Sequence, residues 1–155
     1  GLVRTTAAKG LSEVRSIVYR LRSLGDRAEG LASIVNLVRT FQDSTGVKVN
    51  VNYRNCPNDL GSRLNAIVVR VIQESLVNSF RHGKATLIDI NFWFEDHRLQ
   101  LVIRDNGKVQ EVGAKGVGQK GMEERVKRIG GSIRFESMRD GYGVFASLPV
   151  SARRP

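Results

Sequence analysis

The chain has 155 residues, 41% of them hydrophobic and 26% charged, as is ordinary for one folded domain. No apolar run approaches the roughly 20 residues that cross a bilayer, and the N-terminus lacks the apolar region of a signal peptide. Cys56 is the single cysteine and there are two histidines, which excludes an internal disulfide and a Cys/His zinc site. We expect a cytoplasmic piece of a longer protein, with any membrane span outside it.

The formal net charge of +10 is spread along the chain and does not form a block. Such a balance indicates either a basic, soluble surface or an anionic partner. The candidate partners are nucleic acid, acidic lipid, an acidic protein and a nucleotide. A nucleic-acid binder is the least favoured, because the sequence shows neither a recognition-helix signature nor aromatic residues spaced for base stacking.

Apolar residues at helical spacing predict two helices before residue 45. They are Leu11, Val14, Ile17, Val18 and Leu21 in the first helix, and Leu31, Ile34, Val35, Val38 and Phe41 in the second. Gly46 is a suitable C-terminal cap for the second helix. Alternation of valines then predicts a half-buried strand at 47–53.

A long helix is predicted from Leu60 to Arg81, capped by Asp59, and its wide apolar stripe indicates burial against a sheet. The remaining pattern predicts strands at 86–95 and 98–105, a helix at about 120–129, and strands at 132–138 and 142–150. Hairpin-like strand pairs with helices between them indicate an α+β fold. We expect a two-layer α/β sandwich whose mixed, mostly antiparallel sheet is covered by helices on one face. The tail, 151–155, is expected to be loose.

Three polar residues interrupt the buried-looking helix. Glu74, Asn78 and Arg81 are spaced by four and three residues, which places them on one helical face. A carboxylate, an amide and a cation beside an apolar face are costly unless they have partners. The stripe is therefore either a binding site or a solvated helix edge.

The next candidate is "RDNG" at the end of a strand. Asp105 should lie at the rim of the sheet, where it either caps a turn or accepts a hydrogen bond from an exocyclic amine. Gly107 would let a ligand approach the backbone closely.

A glycine-rich segment, "GVGQKGM", precedes the last predicted helix. Gly116, Gly118 and Gly121 would expose backbone amides near a helix N-terminus, an arrangement that suits phosphate oxygens, and Lys115 and Lys120 add positive charge. The segment is not a Rossmann turn, because no βαβ unit surrounds it, and it is not a P-loop, because GKS or GKT is missing.

The combination of these pieces is more specific than any one of them. The segments "VIQESLVNSFRHGKATLIDI", "LVIRDNG" and "GVGQKGMEERVKRIGGSIRFES" resemble the catalytic ATP-binding domain of sensor histidine kinases. That domain has the Bergerat fold shared with gyrase, Hsp90 and MutL. The segments look like the DesK-like subclass, whose response regulators carry a helix-turn-helix output domain. The resemblance covers about 45–150, and residues 1–44 look like the end of a dimerisation helix with its connector.

The resemblance implies ATP and Mg²⁺ as ligands. Asn78 would bind Mg²⁺, and Glu74 would orient or deprotonate a water or the attacking imidazole. Asp105 would accept the adenine amino group, and Gly107 would let adenine approach. Arg81 would contact phosphate in place of the usual Lys.

His82 is either a further phosphate contact or a residue that packs at the helix end. The resemblance makes 108–121 a lid. Its glycine amides, at Gly116, Gly118 and Gly121, and its lysines, Lys115 and Lys120, would face the triphosphate.

The resemblance also implies partners. They are the dimerisation and phosphoacceptor domain of the same kinase, a response regulator and, in the full-length protein, a second copy. Direct nucleic-acid binding is not expected. Two departures, Val109 for the family's second glycine after DNG and Tyr142 for its usual Thr, favour an alternative: a nucleotide-binding regulatory domain without efficient phosphotransfer.

Overall fold

The computed structural model describes residues 30–57, 60–108 and 117–150. In these residues the chain forms three helices and five strands. In chain order they are α1 (Gly30–Thr45), β1 (Lys48–Tyr53), α2 (Ser62–Arg81), β2 (Leu87–Glu95), β3 (Arg98–Asp105), α3 (Val117–Arg128), β4 (Ser132–Met138) and β5 (Gly141–Pro149). The predicted helix at 2–24, the cap Asp59, Val109 and the tail 151–155 lie outside the described residues.

Two of the predicted helix ends can be compared with the structure, namely the end of α1 and the beginning of α3. Gly46 has φ 75° and donates its N–H to the carbonyl of Gln42 at 2.8 Å, which confirms it as the C-terminal cap of α1. The last helix is Val117–Arg128, so it begins three residues before the predicted start at about residue 120. Glycine disfavours the interior of a helix, so the glycines at 118 and 121 made the beginning of α3 hard to predict. In the structure, α3 packs against the core through the buried side chains of Met122 and Val126.

The five described strands form one sheet in the order β1-β2-β3-β5-β4. Strand β1 pairs with β2 in parallel, and the other neighbours are antiparallel. The predicted mixed, mostly antiparallel sheet is therefore confirmed. In the β3–β5 ladder Asp105 is directly opposite Tyr142, which brings the end of one hairpin next to the beginning of another.

One face of the sheet packs against the helices. Alternate residues of the three central strands are buried there: Ile88, Ile90 and Phe92 of β2, Leu99, Leu101 and Ile103 of β3, and Val144, Ala146 and Leu148 of β5. Helix α1 belongs to the same core, since Leu37 and Phe41 are fully buried and the Phe41 ring meets Phe80 of α2 edge-on at 6.4 Å. The core therefore begins within α1, although the division at residue 44 stays a prediction.

The other face of the sheet presents half-buried Val102 and Phe145, which are directly paired across β3 and β5. The guanidinium carbons of Arg104 and Arg134 lie 5.6 and 4.5 Å from the centroid of the Phe145 ring. These distances are those of cation–π contacts. The aromatic ring is thus flanked by two positive charges on the face that no described helix covers.

Truncating Phe41 tests whether α1 is part of the folded unit. We expect Phe41→Ala to lower the free energy of unfolding by about 3–5 kcal/mol, because it empties a fully buried site. Val35 is on the same helix but 41% exposed, so Val35→Ala should change stability by no more than about 0.5 kcal/mol. Urea denaturation followed by circular dichroism measures both, and equal small effects would separate α1 from the core.

Candidate functional site

Asp105 is the last residue of β3, and its side chain points to the helix-covered side of the sheet. It is 8% exposed. Ser79 of α2 donates its hydroxyl to Oδ2 at 2.6 Å, and the backbone N–H of Gly107 donates to Oδ1 at 2.8 Å. Each carboxylate oxygen carries two lone pairs, so the buried group is fixed in place and can still accept a hydrogen bond.

The side chain of Asn106 makes different contacts from that of Asp105. Its Oδ1 accepts hydrogen bonds from the backbone N–H groups of Thr86 and Leu87 at 2.9 and 3.0 Å, and its Nδ2 donates to the Thr86 hydroxyl at 2.9 Å. The side chain therefore ties the turn after β3 to the beginning of β2. In the DNG sequence it is therefore Asn106 that bonds to the backbone at the beginning of the neighbouring strand. The Asp105 side chain does not take part in this contact and faces the cavity.

Two glycines let the backbone approach closely around Asp105. A Cβ on Gly107 would lie 2.6 Å from the carbonyl oxygen of Gly83, the residue to which Lys108 donates its N–H. Gly141 has φ 153°, and a Cβ there would overlap the carbonyl oxygen of Asp105. Side chains at either position would displace the turn that carries the carboxylate.

Helix α2 brings some of the predicted site residues together. Asn78 is half-buried and lines a small cavity beside Asp105. Glu74, one turn earlier, lies next to the beginning of α3. The side chains of Arg81 and His82, at the end of α2, are exposed, and His82 caps the helix by donating its backbone N–H to Asn78 at 2.9 Å. Exposure does not favour a packing role for His82.

The glycine-rich segment is only partly described, because Lys115 and Gly116 lie outside the described residues. Gly118 falls in the first turn of α3, and a Cβ on it would lie 2.7 Å from Oε2 of Glu74. Gly121 is the fifth helical residue, so its amide has an intrahelical acceptor and is not among the four free amides at the N-terminus. Lys120 is exposed.

The cavity beside Asp105 has a volume of about 10 Å³. Its walls come from α2, the central strands and α3, and they include Asn78, Ser79, Gln119 and Tyr142. Gln119 donates its side-chain N–H to the hydroxyl of Tyr142 at 2.7 Å. Burial raises the pKa of Tyr142, the hydrogen bond from Gln119 opposes that shift, and the charge of Asp105 adds to it.

Sequence reasoning missed three members of this site. Ser79 and Gln119 were not singled out, and Tyr142 was noted only as a departure from the resembling family. A signal for Ser79 was present, since a serine in a buried helical stripe needs a hydrogen-bond partner. Gln73 is a further buried polar residue of α2, and its Nε2 has no hydrogen-bond partner among the described residues.

The side chains at this site determine which metal ion it could bind. Among the described residues no group of three or more His, Cys, Asp or Glu side chains is placed to hold a metal ion. An Asn amide beside one carboxylate suits a cation that keeps water and ligand oxygens in its coordination shell, as Mg²⁺ does. No helix in the described part of the chain is long and apolar enough to cross a membrane.

Comparison with known sequences places the chain among signalling proteins. No family model matches it. It is 32% identical to the sensor histidine kinase LnrJ of Bacillus subtilis over 99% of this chain and 38% of that protein. It is 34% identical to the signal transduction histidine-protein kinase/phosphatase UhpB of Salmonella typhimurium, over 88% of this chain and 28% of that protein. The chain thus spans less than half the length of these relatives.

Solved structures give the same answer for the fold. The histidine kinase domain of the Erythrobacter litoralis EL346 blue-light activated kinase matches with a TM-score of 0.67, at 15% identity, over 96% of this chain and 82% of that one. Acinetobacter baumannii AdeS, another histidine kinase, matches with a TM-score of 0.63, at 12% identity, over 97% of this chain and 82% of that one. By sequence along nearly its whole length, and by fold, the chain belongs to the sensor histidine kinases, of which it corresponds to one part.

Proposed function

We propose that this chain is the catalytic ATP-binding domain of a two-component sensor histidine kinase. It binds Mg-ATP and presents the γ-phosphoryl group to a histidine on a dimerisation helix. The chain's own histidines do not fit that role, because His82 caps the end of α2 and His97 lies in the turn between β2 and β3. The acceptor histidine comes from another part of the full-length protein.

One observation carries this proposal: a buried carboxylate held at the rim of the sheet beside an amide. Asp105 keeps free lone pairs after binding Ser79 and Gly107, and it can accept the exocyclic amine of adenine. Guanine has a carbonyl at that position, so the same carboxylate would repel it. Asn78 lines the same cavity from the adjacent helix, and this supports a role for it near the phosphates of a bound nucleotide.

The roles of the other residues follow from where they lie. Asn78 would hold Mg²⁺ through its amide oxygen, and the cation would neutralise developing charge on the phosphates. Arg81 and Lys120 are exposed cations at the ends of α2 and α3, free to approach phosphate, with Lys115, Gly116 and Gly118 supporting them from the lid. Glu74 would orient the attacking imidazole and accept its proton.

A second candidate function is supported by the size of the cavity. A volume of about 10 Å³ has room for about one water molecule and not for a purine. The alternative is a regulatory domain of the same fold, which binds nucleotide weakly and does not transfer phosphate efficiently. In that case the nucleotide would act on the rest of the kinase by altering how the domain docks.

The partners and location follow from the proposed role. They are the dimerisation and phosphoacceptor domain of the same kinase, a second copy in a homodimer, and a response regulator with a helix-turn-helix output domain. The last depends on assignment to the DesK-like subclass, which stays a prediction. The domain would work in the cytoplasm, where ATP and the response regulator are found, and any membrane attachment would come from other segments.

Nucleotide binding tests the site directly. We expect Asp105→Asn to weaken Mg-ATP binding by about 10- to 100-fold, the value of a hydrogen bond to a charged group, because the amide donates where adenine also donates. Asn78→Asp should have the larger effect and abolish binding, because it places a negative charge beside the phosphates. Isothermal titration calorimetry with Mg-ATP and Mg-GTP measures both effects and the preference for adenine.

The control for these variants is Asp43→Asn, which removes an exposed carboxylate from α1. It should bind ATP as the unaltered chain does. Thermal melting of all three variants has to show that each is folded at the temperature of the titration, so that a loss of affinity is not a loss of folding. ATP binding that is indifferent to both site changes would remove the site assignment.

Phosphotransfer separates the two candidate functions. In the full-length kinase, Glu74→Gln should lower the rate of autophosphorylation by about 10²- to 10⁴-fold, the usual contribution of a general base, and leave ATP affinity within twofold. Glu124→Gln, which alters an exposed residue of α3, is the matched control. Phosphohistidine formed from labelled ATP gives the rate. An unaltered kinase that binds ATP and forms no phosphohistidine would favour the regulatory alternative.

A further inference from the structure

Two side chains from distant parts of the sequence meet at the cavity beside Asp105. Gln119 is in the first turn of α3, which follows the glycine-rich segment, and Tyr142 is the second residue of β5. The 2.7 Å hydrogen bond from the Gln119 amide to the Tyr142 hydroxyl joins this helix to the sheet. It links a described residue of the predicted lid, 108–121, to the sheet.

Tyr142 lies next to the proposed acceptor for adenine. It is directly opposite Asp105 in the β3–β5 ladder, and its side chain points to the helix-covered side, as do those of the buried Val144 and Ala146 further along the strand. Tyr142 and Gln119 both line the cavity of about 10 Å³. With both in place, the space next to the carboxylate has room for about one water molecule.

The first turn of α3 is also close to α2. The backbone at Gly118 approaches Glu74 so closely that a Cβ would lie 2.7 Å from Oε2 of that carboxylate. The turn therefore contacts the α2 residue assigned to catalysis on one side and Tyr142 on the other. A ligand that reached Asp105 would have to displace this turn, the Tyr142 ring, or both.

We propose that Tyr142 and Gln119 form a gate that closes the adenine site, so that nucleotide binds only to the minor form in which their hydrogen bond is broken. This inference rests on the proposed function, since it names what controls entry to the same site. Apparent affinity falls in proportion to the fraction of molecules that are open. The closed form is favoured because the partly buried Tyr142 hydroxyl and Gln119 amide are hydrogen-bonded to each other. When the gate opens, both groups need water molecules as new hydrogen-bond partners.

The gate accounts for a departure in the sequence. The resembling family has a small residue, usually Thr, after the glycine at the beginning of this strand, and this chain has the much larger Tyr142. Removing the ring should therefore do more than removing the hydroxyl alone. The two effects can be separated by substitution, because Phe keeps the ring and Thr removes it.

The experiment measures Mg-ATP affinity by calorimetry in six variants, of which four alter the gate and two are controls. Tyr142→Phe and Gln119→Ala should each tighten binding by about fivefold, the value of one hydrogen bond, and their combination should do no more than either alone. Tyr142→Thr should tighten binding by more than tenfold. The matched controls are Tyr53→Phe, at a tyrosine 39% exposed, and Gln100→Ala, on the outer face of the sheet, and both should stay within twofold.

A second readout does not depend on nucleotide. In the free protein, Tyr142→Phe and Gln119→Ala should each raise amide hydrogen exchange at the hydrogen-bonded amides of α3 from Gly121 onwards, by about the same factor, because both break one bond that holds the helix. The two control variants should leave that exchange unchanged. Unchanged exchange in the gate variants would show that the bond does not hold the helix, and would overturn the gate.

The outcomes distinguish the gate from the function on which it rests. Tighter binding in the gate variants supports the gate. Equal or weaker binding in Tyr142→Thr, with clear binding by the parent chain, overturns the gate and keeps the ATP site, since the ring would then be a contact and not an obstacle. No binding by any variant, including Tyr142→Thr, overturns both.

Discussion

The burial of one carboxylate constrains much of this structure. A buried, ionised group is costly unless hydrogen bonds compensate it, and Asp105 receives one from a helix and one from its own turn. Those two bonds require the end of β3, the last turn of α2 and the turn after β3 to keep one fixed arrangement. Gly107 and Gly141 permit it, because side chains there would strike neighbouring backbone. The Asp105 side chain is thereby held as a hydrogen-bond acceptor at the end of the central strand β3.

Helix α2 serves the core and the site at the same time. Its apolar side, with Ile72 and Leu76 fully buried, is packed between the sheet and α1. Its polar residues are on the adjoining side and face the cavity or the beginning of α3. Groups that bind ligands keep their geometry best when their supporting element is itself held by packing. The helix therefore positions Asn78 and Glu74 by the same contacts that stabilise the fold.

The sequence was sufficient to predict most of the fold, and it singled out Asp105, whose role as an acceptor for adenine stays a prediction. Hydrophobic periodicity depends on burial, and burial against a sheet is what the described helices and strands have in common. The first residue of α3 could not be predicted, because the glycines there disfavour a helix. The buried apolar residues that hold α3 against the core, Met122 and Val126, come later in the helix. The hydrogen bond between Gln119 and Tyr142 could not be predicted either. It joins the side chains of residues 23 positions apart, and no local sequence pattern indicates such a contact.

The two arginines that flank Phe145 have a consequence for how copies of this chain behave in solution. A sheet face that carries an aromatic ring and is covered by none of the described helices is a surface on which molecules tend to stack. Here any such approach brings Arg104 and Arg134 of each copy towards those of the other, in a molecule that already carries a net charge of +10. Repulsion of this kind extends only about 8 Å at physiological ionic strength and shortens as salt is added. Colloidal stability of the isolated domain is therefore a property of its electrolyte as much as of its fold.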